Sequence, residues 1–180
     1  MTKHIKELMP QALERHGVIA ATVNFDGACE PKNPGGVATA GWCIAFRGQE
    51  LWRDARFVCE GDGATNNVAE YHALGHALRW CDDNLPMLKA RGINSLIVCG
   101  DSKLVIEQTI GRWNCNKEHL ARLRERCKRL IESVERAGVS VNLQWVPREE
   151  NVRADALSRE AYEKHTLEKF PTRRQYANQT

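Results

Sequence analysis

The stretch INSLIVCGDS, residues 93–102, decides the fold class of this chain. Residues 93–100 form a continuous apolar run, which is typical of a strand buried on both faces in a parallel sheet. Asp101 ends the run, and a helical pattern begins at Ser102. A buried strand that leads directly into a helix predicts an α/β architecture.

The patterns on either side of this stretch extend the same architecture. We expect strands at residues 18–26, 37–47, 49–60, 93–100 and 139–146. We expect helices at residues 65–85, 102–110, 117–137 and 151–169, with a connector at 86–92. Short connections join the first three strands, so these strands should form an antiparallel meander. The prediction is a mixed α/β sheet with helices packed on it.

Length and composition fit one globular domain. The chain has 180 residues, of which 42% are hydrophobic and 27% charged. We expect an N-terminal extension at 1–17 with a short helix at 10–16, a domain at 18–170, and a tail at 171–180. No apolar run is long enough to span a bilayer and no secretory start is evident, so we expect a cytoplasmic protein. The cysteines never form Cys-x-x-Cys, which argues against a zinc or disulfide framework.

Four acids lie inside short motifs that are spread along the chain. They are Asp26 in FDGAC, Glu70 at the end of TNNVAE, Asp101 in VCGDS, and Asp155 in NVRADAL. A fold that gathers several acids at one point usually holds hard cations there, and magnesium suits oxygen ligands. The two aspartates that follow parallel strands should meet at one sheet edge. Singly, each acid has another explanation: a turn, a helix cap, a helix dipole or an ion pair.

The segment 112–136 is locally basic. It carries eight Lys or Arg residues against four acids, which suits a surface that faces phosphates. The charge alone favours the alternative, a solvated helix with internal ion pairs.

The four motifs together resemble a type 1 ribonuclease H. The matching stretches are Asp26-Gly27-Ala28 with Asn33-Pro34-Gly35-Gly36, Thr65-Asn66-Asn67-x-x-Glu70, Gly100-Asp101-Ser102-x-Leu104-Val105, and Asn151-x-x-x-Asp155-Ala156-Leu157. The resemblance implies a five-stranded ribonuclease H-like sheet of order 3-2-1-4-5, with helices on both faces. It also implies endonucleolytic hydrolysis of the RNA strand of RNA–DNA hybrids by a two-metal-ion mechanism, leaving 5′-phosphate and 3′-hydroxyl ends.

The resemblance further implies roles for individual residues. The catalytic, metal-binding carboxylates would be Asp26, Glu70, Asp101 and Asp155, holding two Mg²⁺ ions for which Mn²⁺ can substitute. The substrate-binding residues would be Gly27, Cys29, Asn33, Thr65, Asn66, Asn67, Ser102, Trp113 and Asn151. Amides such as those at 33, 66 and 67 suit recognition of 2′-hydroxyls, and turn or capping chemistry is their other explanation. Trp113 would face the DNA strand or pack in the core.

The chain departs from the family pattern twice. Many members insert a basic helix and loop after the segment that matches Gly111-Arg112-Trp113, whereas here three residues separate Trp113 from the basic helix. Binding would then depend on that helix, on Arg173 and Arg174, or on a partner. Many members also carry a histidine before the last helix, where this chain has Pro147-Arg148-Glu149-Glu150. Arg148, Glu149 or Glu150 would have to substitute for it.

We expect a monomeric enzyme whose partner is an RNA–DNA hybrid and which does not contact membranes. Two alternatives stay open from the sequence. One is a non-catalytic module that binds hybrids or duplexes, and the intact acids argue against it. The other is a nuclease of the same fold that acts on double-stranded RNA.

Overall fold

A computed structural model describes residues 17–169 of the chain. The strands are β1 Ala20–Glu30, β2 Val37–Phe46, β3 Gln49–Glu60, β4 Ser95–Gly100 and β5 Ser140–Trp145. The α-helices are α1 Asn66–Asp83, α2 Leu85–Ala90, α3 Lys103–Thr109, α4 Glu118–Arg136 and α5 Val152–Lys169, and a 3₁₀ turn covers Arg148–Glu150. Within residues 17–169, no helix has the length and apolarity needed to cross a bilayer. The expected helix at 10–16, Arg173, Arg174 and the rest of the tail lie outside the described residues.

The five strands form one mixed sheet in the predicted order, β3-β2-β1-β4-β5. β1, β2 and β3 pair antiparallel, whereas β4 pairs parallel with both β1 and β5. The predicted meander and the parallel pairing around residues 95–100 are therefore confirmed. The side chains of β4 are buried on both faces of the sheet, with only Ile97 partly exposed, which explains the apolar character of the strand.

Two predicted boundaries were wrong. β1 continues to Glu30 instead of ending at residue 26, because it keeps pairing with β2 over Asp26↔Gly41 to Glu30↔Val37. The connector predicted at 86–92 contains the helix α2, which has a proline in its first turn. Proline fits there because the first helical N–H groups have no partner within the helix.

Glycines let two helices approach β1 and β2 from opposite faces. A Cβ on Gly27 would lie 2.1 Å from the backbone nitrogen of Glu70 on α1. A Cβ on Gly41 would lie 2.3 Å from the backbone nitrogen of Ser158 on α5. Gly41 pairs with Asp26, the neighbour of Gly27, and neighbouring strand residues face opposite sides of a sheet. Asp26 therefore lies between two helices that can each bring a functional side chain to it.

The core lies mainly between the sheet and the α1–α4 pair. Its largest buried side chains come from β1, β4 and α1, and include Phe25, Tyr71, Leu74, Leu78 and Leu96. α4 contributes an apolar stripe on one side, with Leu120, Cys127, Leu130 and Val134 buried. This packing fixes α1 relative to β1 and so fixes where residue 70 lies.

Candidate active site

Three of the four predicted acids converge where β1 and β4 separate. The parallel pairing of these strands ends at Asn24↔Cys99. Asp26 follows on β1, Asp101 follows the end of β4, and Glu70 reaches the same gap from α1. One carboxylate oxygen from each residue lies within 4.8 Å of the others. The carboxyl ends of adjacent parallel strands are where open α/β sheets bind ligands.

Close packing at two glycines brings these acids together. At Gly27, which packs on the backbone of α1, the main-chain N–H donates to the Glu70 carboxylate. At Gly100, a Cβ would lie 2.3 Å from the ring of the fully buried Phe25. β4 can therefore run close to β1 immediately before Asp101. Both glycines are needed for close approach, since neither has the positive φ that favours glycine in turns.

The cluster is electrostatically strained without a cation. The pKa of Asp26 is raised to about 6, mainly by burial and also by the nearby Asp101 and Asp155, against the lowering effect of a hydrogen bond from Ser158. Burial also raises the pKa of Glu70 well above its usual range, and its neighbours Asp26 and Asp101 act in the same direction. Burial and like charge both disfavour the ionised form of a carboxylate.

The donor set fits a divalent cation. Glu70 is 7% exposed, and its Oε2 atom is buried without a hydrogen-bond partner. An unpaired buried carboxylate oxygen is costly, and a cation would compensate it. All three ligands are carboxylate oxygens, which hard cations such as magnesium prefer. Asp26, Glu70 and Asp101 are the residues that would hold the ion.

Asn151 holds the two sides of the gap together. Its Nδ2 donates to the carbonyl of Phe25 at 2.8 Å and to Oδ1 of Asp101 at 3.1 Å. Its Oδ1 accepts from Nδ2 of Asn24 at 3.1 Å. The side chain is 1% exposed. We expected Asn151 to contact substrate, but the structure uses its amide inside the protein to position Asp101.

Two further residues that position the acids were missed from the sequence. The Ser158 hydroxyl donates to Oδ2 of Asp26. The Trp145 indole donates to the main-chain carbonyl of Asp101 at 3.0 Å. One signal was available for each: Ser158 lies one helical turn after Asp155, and Trp145 ends the strand that pairs with β4.

Asp155 lies beside the cluster, in the first turn of α5, but is not one of the three converging ligands. Its carboxylate pairs with Arg148 and, at 3.1 Å, with Arg159. Arg148 also acts electrostatically on Asp26, Asp101 and Glu70, and the nearby carboxylates raise its own pKa. Of the three residues proposed to replace the missing histidine, Arg148 therefore pairs with one of the four acids, Asp155, and acts electrostatically on the other three.

The polar residues expected to contact substrate lie mostly at the start of α1. Thr65 is the N-cap of α1 and accepts from the backbone nitrogen of Val68 at 3.1 Å. The backbone nitrogen of Asn66 donates to Oδ1 of Asn33 at 3.2 Å, which joins two loops. These contacts show capping chemistry, and the Asn66 side chain stays exposed.

Four other residues that were expected to contact substrate differ in their exposure to solvent. Ser102 caps α3, and Trp113 is 46% exposed, so its core alternative is excluded. Gly27 is buried under α1. Cys29 is 4% exposed and directs its thiol to the carbonyl of Lys32. The side of β1 that carries residues 27 and 29 therefore faces protein instead of solvent.

Comparisons with known proteins agree with this geometry. A family model described as "Reverse transcriptase-like" matches residues 24–161. Ribonuclease HI of Halobacterium salinarum is 37% identical over 141 residues, which cover 76% of this chain and 61% of that protein. A bifunctional protein of Mycobacterium tuberculosis is 39% identical over 98 residues, 54% of this chain and 24% of that protein. The chain thus spans less than two thirds of these curated relatives.

Solved structures extend the likeness to the whole domain. The crystal structure of RNase H1 from Halobacterium salinarum has a TM-score of 0.67 at 32% identity, covering 81% of this chain and 98% of that one. LC11-RNase H1, crystallised in complex with an RNA/DNA hybrid, has a TM-score of 0.65 at 28% identity and covers 81% and 99% of the two chains. Together with the strand order and the acid cluster, these likenesses show that the chain belongs to the type 1 ribonuclease H family.

Proposed function

We propose that this protein is an endonuclease that hydrolyses the RNA strand of RNA–DNA hybrids and leaves 5′-phosphate and 3′-hydroxyl ends. The observation that carries the proposal is the convergence of Asp26, Glu70 and Asp101, with an unpaired buried oxygen on Glu70. A protein that only bound duplexes would be more stable without that repulsion. The relatives named ribonuclease H support the reaction, and the one crystallised with a hybrid supports the substrate.

We propose two Mg²⁺ ions as the cofactor, replaceable by Mn²⁺. Magnesium bound between carboxylates and a phosphate would supply an acidified water and charge neutralisation for an in-line displacement. Asp26, Glu70 and Asp101 would hold the cation. The carboxylate of Asp155 would join them by releasing Arg148 and contacting the cation instead. Asn151, Ser158 and Trp145 would keep the acids oriented, so little rearrangement is needed on binding.

Recognition of the hybrid would use exposed and partly exposed polar residues near the acids. The amides of Asn33, Asn66 and Asn67 can both donate and accept, which suits the 2′-hydroxyls that only the RNA strand carries. Thr65 and Ser102 would add hydroxyl contacts at two helix starts. Trp113, exposed after α3, would contact the DNA strand. A monomeric state, a cytoplasmic location, and separate roles for the segments 1–17 and 171–180 stay predictions.

A panel of duplexes tests the proposal. RNA–DNA, RNA–RNA and DNA–DNA duplexes of one sequence, labelled on either strand, are incubated with the protein and Mg²⁺ or Mn²⁺, beside an Asp101→Asn variant. We expect only the RNA strand of the hybrid to be cut, and only by the unchanged protein. Equal cleavage of RNA–RNA would favour a double-stranded RNA nuclease, and tight binding without cleavage in either metal would show a binding module.

A further inference from the structure

The carboxyl end of β5 carries a tryptophan that is half exposed beside the acid cluster. Trp145 is 48% exposed and is the last residue of the strand that pairs with β4. It pairs with Gly100, and its indole nitrogen donates to the main-chain carbonyl of Asp101 at 3.0 Å. This hydrogen bond holds one edge of the ring against a candidate metal ligand, while about half of the residue stays open to solvent.

Trp145 lies on the face of the sheet from which Glu70 reaches the site. Val141 and Leu143, which precede it at intervals of two along β5, pack against the core between the sheet and the α1–α4 pair. Strand residues two apart point to the same face, so the ring lies on that face too. Because β1 and β5 lie on opposite sides of β4, a substrate strand at Asp101 would have Glu70 on one side and Trp145 on the other.

The segment that follows Trp145 runs along the acid cluster. The backbone nitrogen of Val146 donates to the carbonyl of Gly100 at 3.0 Å, which holds the segment against β4. Three residues after Trp145, Arg148 pairs with Asp155 and acts electrostatically on the other three acids. The ring therefore has a fixed position at the rim of the site.

Two other aromatic side chains of similar exposure already have stacking partners. Trp52 is 45% exposed and stacks on Trp80, with ring centroids 5.8 Å apart. Phe57 is 44% exposed and stacks on His165, with ring centroids 4.2 Å apart. Among the described residues, no aromatic ring or cation stacks on Trp145. A ring whose N–H is bonded and whose apolar surface is open is typical of a contact surface.

The chemistry around the ring determines which part of a nucleotide it would contact. The indole carries no charge and lies beside carboxylates, so it is poorly suited to a phosphate. The bases of a duplex are stacked on one another, which leaves the sugars as the accessible groups with apolar C–H surface along each strand. An aromatic ring gains dispersion energy by packing against such groups.

We propose that Trp145 contacts the substrate, with its exposed ring packed against a ribose of the cut strand next to the scissile phosphate. The inference rests on the proposed hybrid substrate. Trp145 then has two separable roles, since its N–H positions Asp101 whereas its ring binds the strand. The first role affects the reaction step, and the second affects binding.

Two substitutions separate the N–H from the ring. Trp145→Gln keeps a donor the same number of bonds from Cα but removes the ring, whereas Trp145→Phe keeps a ring but removes the donor. With labelled hybrid and no divalent metal, fluorescence anisotropy should show binding weakened roughly fivefold in Trp145→Gln and by less than about twofold in Trp145→Phe. In cleavage, Trp145→Gln should mainly raise KM and Trp145→Phe should mainly lower kcat. Binding by Trp145→Gln as tight as that of the parent would overturn the proposal.

Trp52→Gln is the matched control. It removes an equally exposed tryptophan from β3 and should leave hybrid binding unchanged. The loss in Trp145→Gln should be the same at low and high salt, because a contact between an uncharged ring and a sugar releases no counterions. An equal loss in Trp52→Gln, or a loss in Trp145→Gln that disappears at high salt, would contradict the ribose contact.

Fluorine NMR tests the contact without a substitution that could disturb the fold. Protein that contains fluorotryptophan gives a resonance for each tryptophan, and Trp→Phe variants assign them. Saturating hybrid should shift the Trp145 resonance and leave the Trp52 resonance in place, and an unmoved Trp145 resonance would refute the contact. Cleavage separates the two proposals: a parent protein that cuts no hybrid refutes the function, whereas a parent that cuts while Trp145→Gln binds equally tightly refutes only the ring contact.

Discussion

At the scale of the residue, the site is a set of acids held together against their own repulsion. Asp26 is 5% exposed and Glu70 7% exposed, and both carry raised pKa values for that reason. Burial of like charges lowers the stability of the metal-free protein, and the hydrogen bonds from Gly27 and Ser158 offset only part of that cost. Function and stability therefore oppose each other at these positions.

Replacement of Glu70 should expose this conflict. Glu70→Gln removes one buried charge, so at pH 8 with chelator the variant should be more stable by about 1–2 kcal/mol, while metal binding and cleavage are lost. Chemical unfolding and hybrid cleavage measure the two effects. Glu118→Gln, which changes an exposed acid on α4, is the control and should alter neither. A Glu70→Gln variant less stable than the parent in chelator would contradict this explanation.

Ser158 should control the pH dependence through Asp26. Its hydroxyl lowers the pKa of Asp26 against the effect of burial. In Ser158→Ala that pKa should rise further above 6, so the acid limb of the pH–rate profile should move to higher pH. Thr166→Ala removes a hydroxyl from the same helix away from the site, where it bonds the carbonyl of Tyr162, and should leave the profile in place. An unmoved acid limb in Ser158→Ala would exclude this role.

Short motifs predicted the converging acids, but not the residues that position them. Asp101 follows the end of β4 and Glu70 lies near the start of α1, positions that sequence patterns locate, and Asp26 lies inside β1, which the sequence predicted to end there. Asn151, Trp145 and Ser158 bond partners 50, 44 and 132 residues away. No local periodicity encodes such a pairing, so only the folded chain reveals it.

At the scale of the element, the crossing of α5 over β2 determines whether Ser158 reaches Asp26. Gly41→Ala would place a methyl group 2.3 Å from the backbone nitrogen of Ser158 and 2.6 Å from the carbonyl of Ala154. Because backbone cannot move aside cheaply, we expect a loss of about 2–4 kcal/mol in unfolding free energy, together with lower activity.

Gly75→Ala on α1 is the matched comparison. There the new methyl group would meet only the Cys127 sulfur at 3.7 Å, an ordinary contact. Helix propensity should then stabilise the protein by about 0.5–1 kcal/mol. Equal effects of the two changes in denaturant titrations would refute the packing explanation.

The type of a helix or strand was predictable where its hydrophobic pattern was long. The residues at which helices and strands begin and end were less predictable. The five strands and four of the helices between residues 17 and 169 follow hydrophobic periodicity. The end of β1 at Glu30 depends on pairing with β2, and α2 is a six-residue helix stabilised by its place beside α1. Tertiary contacts decide such short or extended pieces, so propensity alone misplaces them.

At the scale of the whole molecule, metal binding should couple to folding and to pH. In the folded, metal-free protein the pKa of Asp26 is about 6, whereas it is 3.8 without burial and neighbouring charges. Between these two pH values the folded state therefore binds more protons than the unfolded state. Stability therefore falls as pH rises through that window, and the raised pKa of Glu70 extends the loss of stability to higher pH.

Magnesium would replace those protons, so it should raise Tm more at pH 8 than at pH 5. Thermal unfolding with Mg²⁺ or chelator measures this, and equal shifts at both pH values would exclude the acid cluster as the metal site.

The most direct test of the account is cleavage of an end-labelled RNA–DNA hybrid by the parent protein and three single variants. Asp26→Asn, Glu70→Gln and Asp101→Asn each remove one converging carboxylate. With the fold of each variant verified by circular dichroism, we predict Mg²⁺-dependent cutting of the RNA strand by the parent, abolished by chelator. Each variant should be at least about 100-fold slower. Mg²⁺-dependent cleavage at the parental rate in any of the three folded variants would contradict the central claim.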